Sequence, residues 1–404
     1  MTTAPPAEPG GSTALGAPVP PAYGRRSAAE LLPAAVRALG VRLDEADGQS
    51  PDGEYSDRLR LPAANRVCVL IVDGLGTALL RQHTADAPFL ASLDGEPPLT
   101  VGFPSTTATS MAGFGTGLPP GEHGMFGYQV RDPERGVLLN LLRWDKTTVP
   151  ERWQPRPTVF EQAVAAGLPG FHVGPGAFAQ SPLTRAVWRG PEYRPADSPG
   201  ALVARTAEAV AEQPRSLTVA YYSTVDGTGH VYGSRSAAWR HELAVADRMV
   251  ERLAAALPPD ALLVVTGDHG MVDPPVRIDL DAYPALGEGV ALLGGEARAR
   301  HVYAVPGAAD DVLAAWAETL GNAAWVLSRD AAVEAGWFGP RVRPELLGRL
   351  GDVIVAAGPE TALIATEQEP RESRLVGLHG SIAQSDLEVP LLLAREGRSV
   401  GGTA

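Results

Sequence analysis

Short, nearly unbroken apolar runs recur along the chain: "RVCVLIVD" at 66–73, "FHVG" at 171–174, "SLTVAYYSTVD" at 216–226, "ALLVVTGDH" at 261–269 and "VPLLLA" at 389–394. Runs that are apolar on both faces, rather than alternating, read as central strands of a parallel sheet. Helical patterns separate them, such as "TVFEQAVAAG", "ALVARTAEAVAEQ" and "WRHELAVADRMVERLAAAL". Strand and helix in this alternation predict an α/β fold, doubly wound, with a mostly parallel central sheet and helices on both faces. "SAAELLPAAVRALGV", from Ser27 to Val41, predicts a short helix capped by Ser27.

Two regions break the alternation. Between 277 and 374 the pattern loosens into "RHVYAVPG", "DDVLAAWAETLG" and "ELLGRLGDVIVAAG", which predicts a small inserted α/β subdomain capping the main unit. Residues 1–24 are rich in Pro, Gly and Ala and predict a disordered tail. The catalytic domain is expected over 25–400.

Composition narrows the function. A formal charge of -13 with a pI near 5.1 argues against stable nucleic-acid binding, which needs a basic footprint. Lys146 is the single lysine, so nearly all positive charge is arginine. An acidic protein repels anions at long range, so a phosphate-handling site here needs bound cations to invert the local sign. Cys68 is the single cysteine; it excludes intramolecular disulfides and zinc sites of the CxxC type. No apolar run has the length of a membrane span. The N-terminus shows no basic segment followed by an apolar one, so the expected location is cytoplasmic.

Candidate chemistry lies at the ends of the apolar runs. "VCVLIVD" ends at Asp73, "LTVAYYSTVD" at Asp226 and "ALLVVTGDH" at Asp268 and His269. Ligands of open α/β sheets collect beyond the carboxyl ends of the strands. Each aspartate alone reads more readily as a helix cap; three together, with histidines close by, exceed what capping explains. "DGTGH" sets His230 four residues after Asp226, and "GLHGS" supplies His379. Carboxylates with neutral imidazoles suit zinc, with manganese or iron as alternatives. A further stretch, "FPSTTATSMAGFGTGLPPGEHGMFGY" at 103–128, crowds Ser105, Thr106, Thr107 and Thr109 at the start of an expected helix. Those hydroxyls read either as N-caps or as a nucleophile beside an anion-binding helix terminus.

"VDGLG", "FPSTTATS", "GTGLPPGEHGM", "TVDGTGH", "TGDHGM" and "LHGS" occur in this order. With them the chain resembles the alkaline phosphatase superfamily, in its type I phosphodiesterase/nucleotide pyrophosphatase branch, over about residues 65–395. The resemblance implies a hydrolase with two divalent metal ions, zinc foremost, acting on a small phosphodiester or nucleotide pyrophosphate. It implies one metal held by Asp73, Thr107, Asp268 and His269, and the other by Asp226, His230 and His379. It selects Thr107 as the nucleophile that forms a phospho-threonine intermediate, leaving Ser105 and Thr106 to cap the helix and shape the turn. Nucleotide pyrophosphatases usually carry an asparagine five residues after the "HG" histidine; counting from His123, this chain has Tyr128, the expected substrate-binding donor. No arginine follows the threonine cluster as it follows the nucleophile of alkaline phosphatases proper. Arg131 is the first basic residue beyond it, which favours diesters over monoesters. A phosphomonoesterase or phosphonate hydrolase would share the metal shell. An inactive metal-binding interaction protein is the rival from another class, and the complete ligand set argues against it.

Overall fold

The computed structural model of the chain describes residues 15–43 and 59–394. Its strands in chain order are β1 Arg66–Val72, β2 Asp94–Thr100, β3 Gln129–Asp132, β4 Val137–Asn140, β5 Gly170–Gly174, β6 Glu192–Pro195, β7 Ser216–Tyr222 and β8 Ala261–Thr266. The later ones are β9 Val276–Asp279, β10 Val290–Glu296, β11 Ala299–Ala304, β12 Ala324–Ser328, β13 Val353–Ala357, β14 Thr361–Ile364 and β15 Glu388–Ala394. A seven-stranded central sheet takes the order β2-β15-β8-β1-β7-β5-β6. Its core pairings, β1 with β7 and β8, and β5 with β6 and β7, are parallel.

The alternation of side chains along β1 explains the double winding. Val67, Val69 and Ile71 enter one core with the helices Leu31–Ala38, Thr107–Thr116 and Val159–Ala165. Cys68, Leu70 and Val72 point the other way, into a core shared with Pro199–Glu212 and Ala237–Ala256. Both faces of the strand are therefore dry, and its sequence is apolar throughout. Cys68 is buried there, a small apolar filler whose thiol burial pushes up to about 12.

Two strands depart from the sequence expectation. The run "VPLLLA" was expected to lie parallel with the others, but β15 is antiparallel to β8 and β2. The chain enters it from the carboxyl end of the sheet, where the Asp386 carbonyl accepts from Gly270 just beyond β8. A strand that starts at that end can only run back down, with no crossover helix. β2, "DGEPPLT", gave no strand signal because of its prolines; it lies at the sheet edge, where a missing N–H is tolerated.

Residues 276–364 hold a second, four-stranded sheet, β10-β11-β13-β12, and the parallel pair β9/β14. The helix Ala309–Leu320 packs on that sheet through Val312, Trp316 and Leu320. Of the expected disordered tail, residues 1–14 lie outside the described residues, while residues 15–24 run against the body. The Tyr23 hydroxyl donates to the Trp337 carbonyl at 2.9 Å and accepts from the Phe103 N–H at 3.1 Å. The Ala22 N–H reaches Thr100 Oγ1 at 2.7 Å, and Trp325 Nε1 donates to the Gly16 carbonyl at 2.8 Å. Composition suggested looseness; one tyrosine and a few backbone groups supply the anchoring. Ser27 then caps the next helical segment in a capping box with Glu30. No described helix is long and apolar enough to cross a membrane.

Candidate active site

The adjacent strands β8, β1 and β7 deliver four of the expected ligands from their carboxyl ends. Asp73 directly follows β1, and its N–H continues the ladder to the Tyr222 carbonyl at 2.9 Å. Gly74 then turns with φ 74°. A Cβ there would stand 3.1 Å from Asp226 Cα, so the turn and the following strand end approach closely only because residue 74 is glycine. Asp268 and His269 lie just beyond β8 and are fully buried.

Asp226 corrects one expectation. The run "SLTVAYYSTVD" does not stay extended to its end: β7 stops at Tyr222, and Asp226 sits in the first turn of the helix Thr224–Tyr232. The "DG" at 226–227 is therefore helical. The four-residue spacing to His230 stacks the two side chains on one helix face, with His230 Nε2 3.3 Å from Asp226 Oδ2.

These side chains gather in two groups, Asp73/Asp268/His269 and Asp226/His230/His379, each with ligand atoms within 4.8 Å of one another. His269 Nε2 lies 3.3 Å from Asp73 Oδ1 and 3.6 Å from Asp268 Oδ2. The groups touch: the His269 and His379 rings stack with centroids 3.5 Å apart. Thr107 begins the helix Thr107–Thr116 with its Oγ1 3.3 Å from His269 Nε2.

The donor set fits divalent metal ions. Each histidine spends Nδ1 on a backbone carbonyl: His230 on Gly377 at 2.8 Å, His269 on Gly270 at 3.0 Å and His379 on Ser105 at 2.9 Å. Such bonds fix the tautomer and leave Nε2 unprotonated for a metal. Asp73 Oδ1, Asp226 Oδ1 and Asp268 Oδ2 are buried without a hydrogen-bond partner, a costly state for carboxylate oxygens that a cation relieves. Among the described residues, no lysine or arginine pairs with any of the three aspartates.

The electrostatics agree. Burial, then the charges of Asp268 and Asp226, push Asp73 well above the usual carboxylate range. Burial likewise raises Asp268. For Asp226 burial pushes upward, but His230, His269 and His379 outweigh it and hold the carboxyl low. Burial and the neighbouring His269 ring push His379 well below its ordinary value, which keeps it neutral. Sequence reasoning missed Tyr221, whose hydroxyl donates to Asp73 Oδ2 and orients that carboxylate; it is an inner residue of an apolar strand and carries no local signal.

The hydroxyl cluster differs from expectation in detail. Thr106 occupies the N-cap position but makes no side-chain cap bond; its hydroxyl reaches Thr109 Oγ1 at 3.4 Å. Ser105 Oγ donates instead to the Ser381 carbonyl at 2.7 Å. The helix N-terminus thus keeps its first-turn N–H groups free of side-chain acceptors.

A cavity of about 330 Å³ opens over these groups, with Thr106, Thr107, Asp226, His230 and His379 in its wall. Tyr128 lines it too, its hydroxyl donating to Glu372 Oε1 at 3.3 Å. Arg143, Arg371, Glu296, Glu369 and Glu372 complete the charged lining, and nothing in the sequence pattern marked them. Arg298 and Arg300 stay out of it. Arg298 is buried in a bidentate pair with Asp386 at 2.9 and 2.7 Å, and Arg300 pairs with Glu369 at 2.8 Å.

The sequence profile of the type I phosphodiesterase / nucleotide pyrophosphatase family matches residues 67–382. No curated protein matches the chain. Among solved structures, murine ectonucleotide pyrophosphatase/phosphodiesterase 5 superposes with a TM-score of 0.66 at 20% identity, covering 81% of this chain and 87% of its own. An inactive threonine-to-alanine variant of that murine protein, in complex with AMP, gives 0.65 at 20% identity, over 81% and 87%. Phosphonoacetate hydrolase from Sinorhizobium meliloti 1021, in complex with phosphonoformate, gives 0.64 at 18% identity, over 85% and 94%. Identities this low carry the shared fold alone. The profile match, spanning most of the chain, makes it a member of the type I phosphodiesterase/nucleotide pyrophosphatase family, and a hydrolase of that kind.

Proposed function

We propose that the protein cleaves phosphodiester or nucleotide pyrophosphate bonds by a double displacement, with Thr107 as nucleophile and two divalent cations, zinc foremost, at the Asp/His groups. The observation that carries this reading is the set of three buried carboxylate oxygens without a hydrogen-bond partner, grouped with histidines whose Nδ1 atoms are spent on backbone carbonyls. Asp73, Asp268, His269 and Thr107 would hold one cation, and Asp226, His230 and His379 the other. Bound there, the cations would lower the pKa of a coordinated hydroxyl and offset charge on the phosphoryl oxygens.

The chain's own residues account for the rest. Thr107 stands at the N-terminus of a ten-residue helix, where unspent N–H groups and the helix dipole favour a bound phosphoryl anion. Its Oγ1 bonds to phosphorus as the ester oxygen departs. Water then cleaves the phospho-threonine and restores the hydroxyl. Tyr221 and the Gly74 N–H, 3.1 Å from Asp268 Oδ1, hold two aspartates in place.

Diester preference is supported by the charge lining. No lysine lines the cavity, and the two arginines in its wall, Arg143 and Arg371, are exposed. Solvated guanidiniums contribute weakly to a dianion, but can meet the second phosphate of a pyrophosphate. Tyr128 remains the proposed neutral contact to the substrate; to donate to a phosphoryl oxygen its hydroxyl must leave Glu372. Chelation followed by zinc or manganese restoration tests the metal requirement, and full activity in chelated protein would contradict it.

A further inference from the structure

One acid in the cavity wall belongs to neither metal-ligand group. Glu296 ends β10, and its Oε2 accepts the Tyr128 backbone N–H at 3.0 Å. Its other oxygen, Oε1, is buried without a partner, in a residue that lines the cavity beside Thr107 and His379. Two neighbouring acids, Asp386 and Glu369, are fully used. Both oxygens of Asp386 meet Arg298. Both oxygens of Glu369 lie within reach of Arg300, at 2.9 and 2.8 Å. A carboxyl present only to hold Tyr128 would not need to bury a second acceptor without a partner, which is destabilising.

The backbone is shaped to admit this side chain. The β10–β11 hairpin turns tightly: Gly295 has φ 87°, and a Cβ there would fall 2.0 Å from the Ala299 carbonyl oxygen. Gly380 lies directly against the carboxyl, where a Cβ would come within 2.9 Å of Glu296 Cγ and Oε1. Glycine at 380, next to His379, leaves the space that Glu296 fills. Burial pushes the Glu296 carboxyl up to about 8, so the free group holds its proton near neutral pH, and a donor seated against Oε1 favours the ionised, accepting form. The guanidiniums of Arg143 and Arg371 are exposed, and water screens them.

We propose that Glu296 is a specificity residue: its idle Oε1 accepts a hydrogen bond from an N–H or O–H on the group esterified to the phosphate. The enzyme therefore selects amino- or hydroxyl-bearing diesters over plain alkyl ones. This rests on reading the cavity as a phosphodiester site. A site whose buried acceptor awaits a donor discriminates strongly against the analogue that lacks it.

The test compares 4-nitrophenyl phosphodiesters carrying propyl, 2-hydroxyethyl or 2-aminoethyl groups, hydrolysed by the metal-loaded full chain. The expected kcat/KM is at least roughly tenfold higher for one or both donor-bearing esters than for the propyl ester. Which of the two leads separates a hydroxyl from an amino ligand. Glu296→Gln is isosteric: its carbonyl keeps the Tyr128 bond and its NH2 faces the cavity, donor against donor. In that variant the donor-to-propyl ratio should fall to near one while the propyl ester is still hydrolysed. Glu296→Leu should give the same ratio. A wild-type ratio near one, or an unchanged ratio in both variants, would overturn the proposal. If no diester is hydrolysed, the proposed reaction fails, and Glu296 is judged by binding. Metal-loaded Thr107→Ala protein should then bind 2-aminoethyl or 2-hydroxyethyl phosphate more tightly than propyl phosphate, a preference lost with Glu296→Gln; equal binding overturns it.

Discussion

His379 donates from Nδ1 to the Ser105 carbonyl at 2.9 Å, tying a late loop to the segment two residues before Thr107. The Ser105 N–H returns to the Gly380 carbonyl at 3.1 Å, and its hydroxyl to Ser381. This brace joins two parts of the chain far apart in sequence and aims His379 Nε2 at Asp226, 3.9 Å away. Replacing His379 with alanine should lower metal content from two ions per chain toward one, measured by elemental analysis of purified protein. Retention of both ions would remove His379 from the ligand set.

Thr107→Ala should lose nearly all turnover while keeping its melting temperature within error. Thr106→Ala should cost far less, since the Thr106 hydroxyl makes no cap bond and reaches only Thr109. Steady-state kinetics on both variants decides the register; a dead Thr106 variant would move the nucleophile by one residue.

Much of this site is local in sequence and therefore legible there. Asp73, Asp268 and His269 follow apolar strands directly, and a strand end in an open sheet is where ligands gather. Asp226 was legible as a candidate ligand but not as a helical residue, because the β-branched and aromatic run before it extends the strand pattern past Tyr222. Tyr221, Glu296 and Arg371 were hidden for a different reason. Their roles arise from pairing of distant segments, and a tyrosine in a strand or a glutamate in a hairpin carries no mark of its partner. β15 shows the same limit, since an apolar run declares burial but not direction.

The N-terminal segment yields a stability prediction. Tyr23→Phe removes the acceptor of the Phe103 N–H and the donor to the Trp337 carbonyl, and the buried N–H is left unpaired. The expected loss is about 1–3 kcal/mol, read by urea unfolding of the full chain. Deleting residues 2–24 should cost at least as much. An unchanged midpoint in both would mean the segment does not dock.

Acid should destabilise the fold through buried neutral histidines. Burial holds His172 down at about 3, and burial with the Arg349 charge holds His123 there also; burial lowers His301 to about 4. An unfolded histidine titrates near 6.5, so below that pH the unfolded chain binds more protons than the folded one. Their stabilisation is present above about 6.5 and is lost as pH falls toward 3–4. His172 packs between Trp188 and Tyr193, at centroid distances of 4.9 and 5.0 Å, with Nδ1 unpartnered. His172→Phe should therefore flatten the fall in melting temperature of metal-free protein between pH 7 and 5. An identical slope would show that His172 is already solvated.

The proposed metal-dependent diesterase has no lysine in its cavity and only exposed arginines there, Arg143 and Arg371. The most direct test of that reading is kcat/KM of the metal-loaded protein for an aryl phosphodiester and the matching monoester, with the same leaving group. The account predicts that the diester is favoured by at least roughly tenfold, about 1.4 kcal/mol of transition-state stabilisation, and that chelation abolishes both activities. A monoester preference, or turnover that survives chelation, would contradict it.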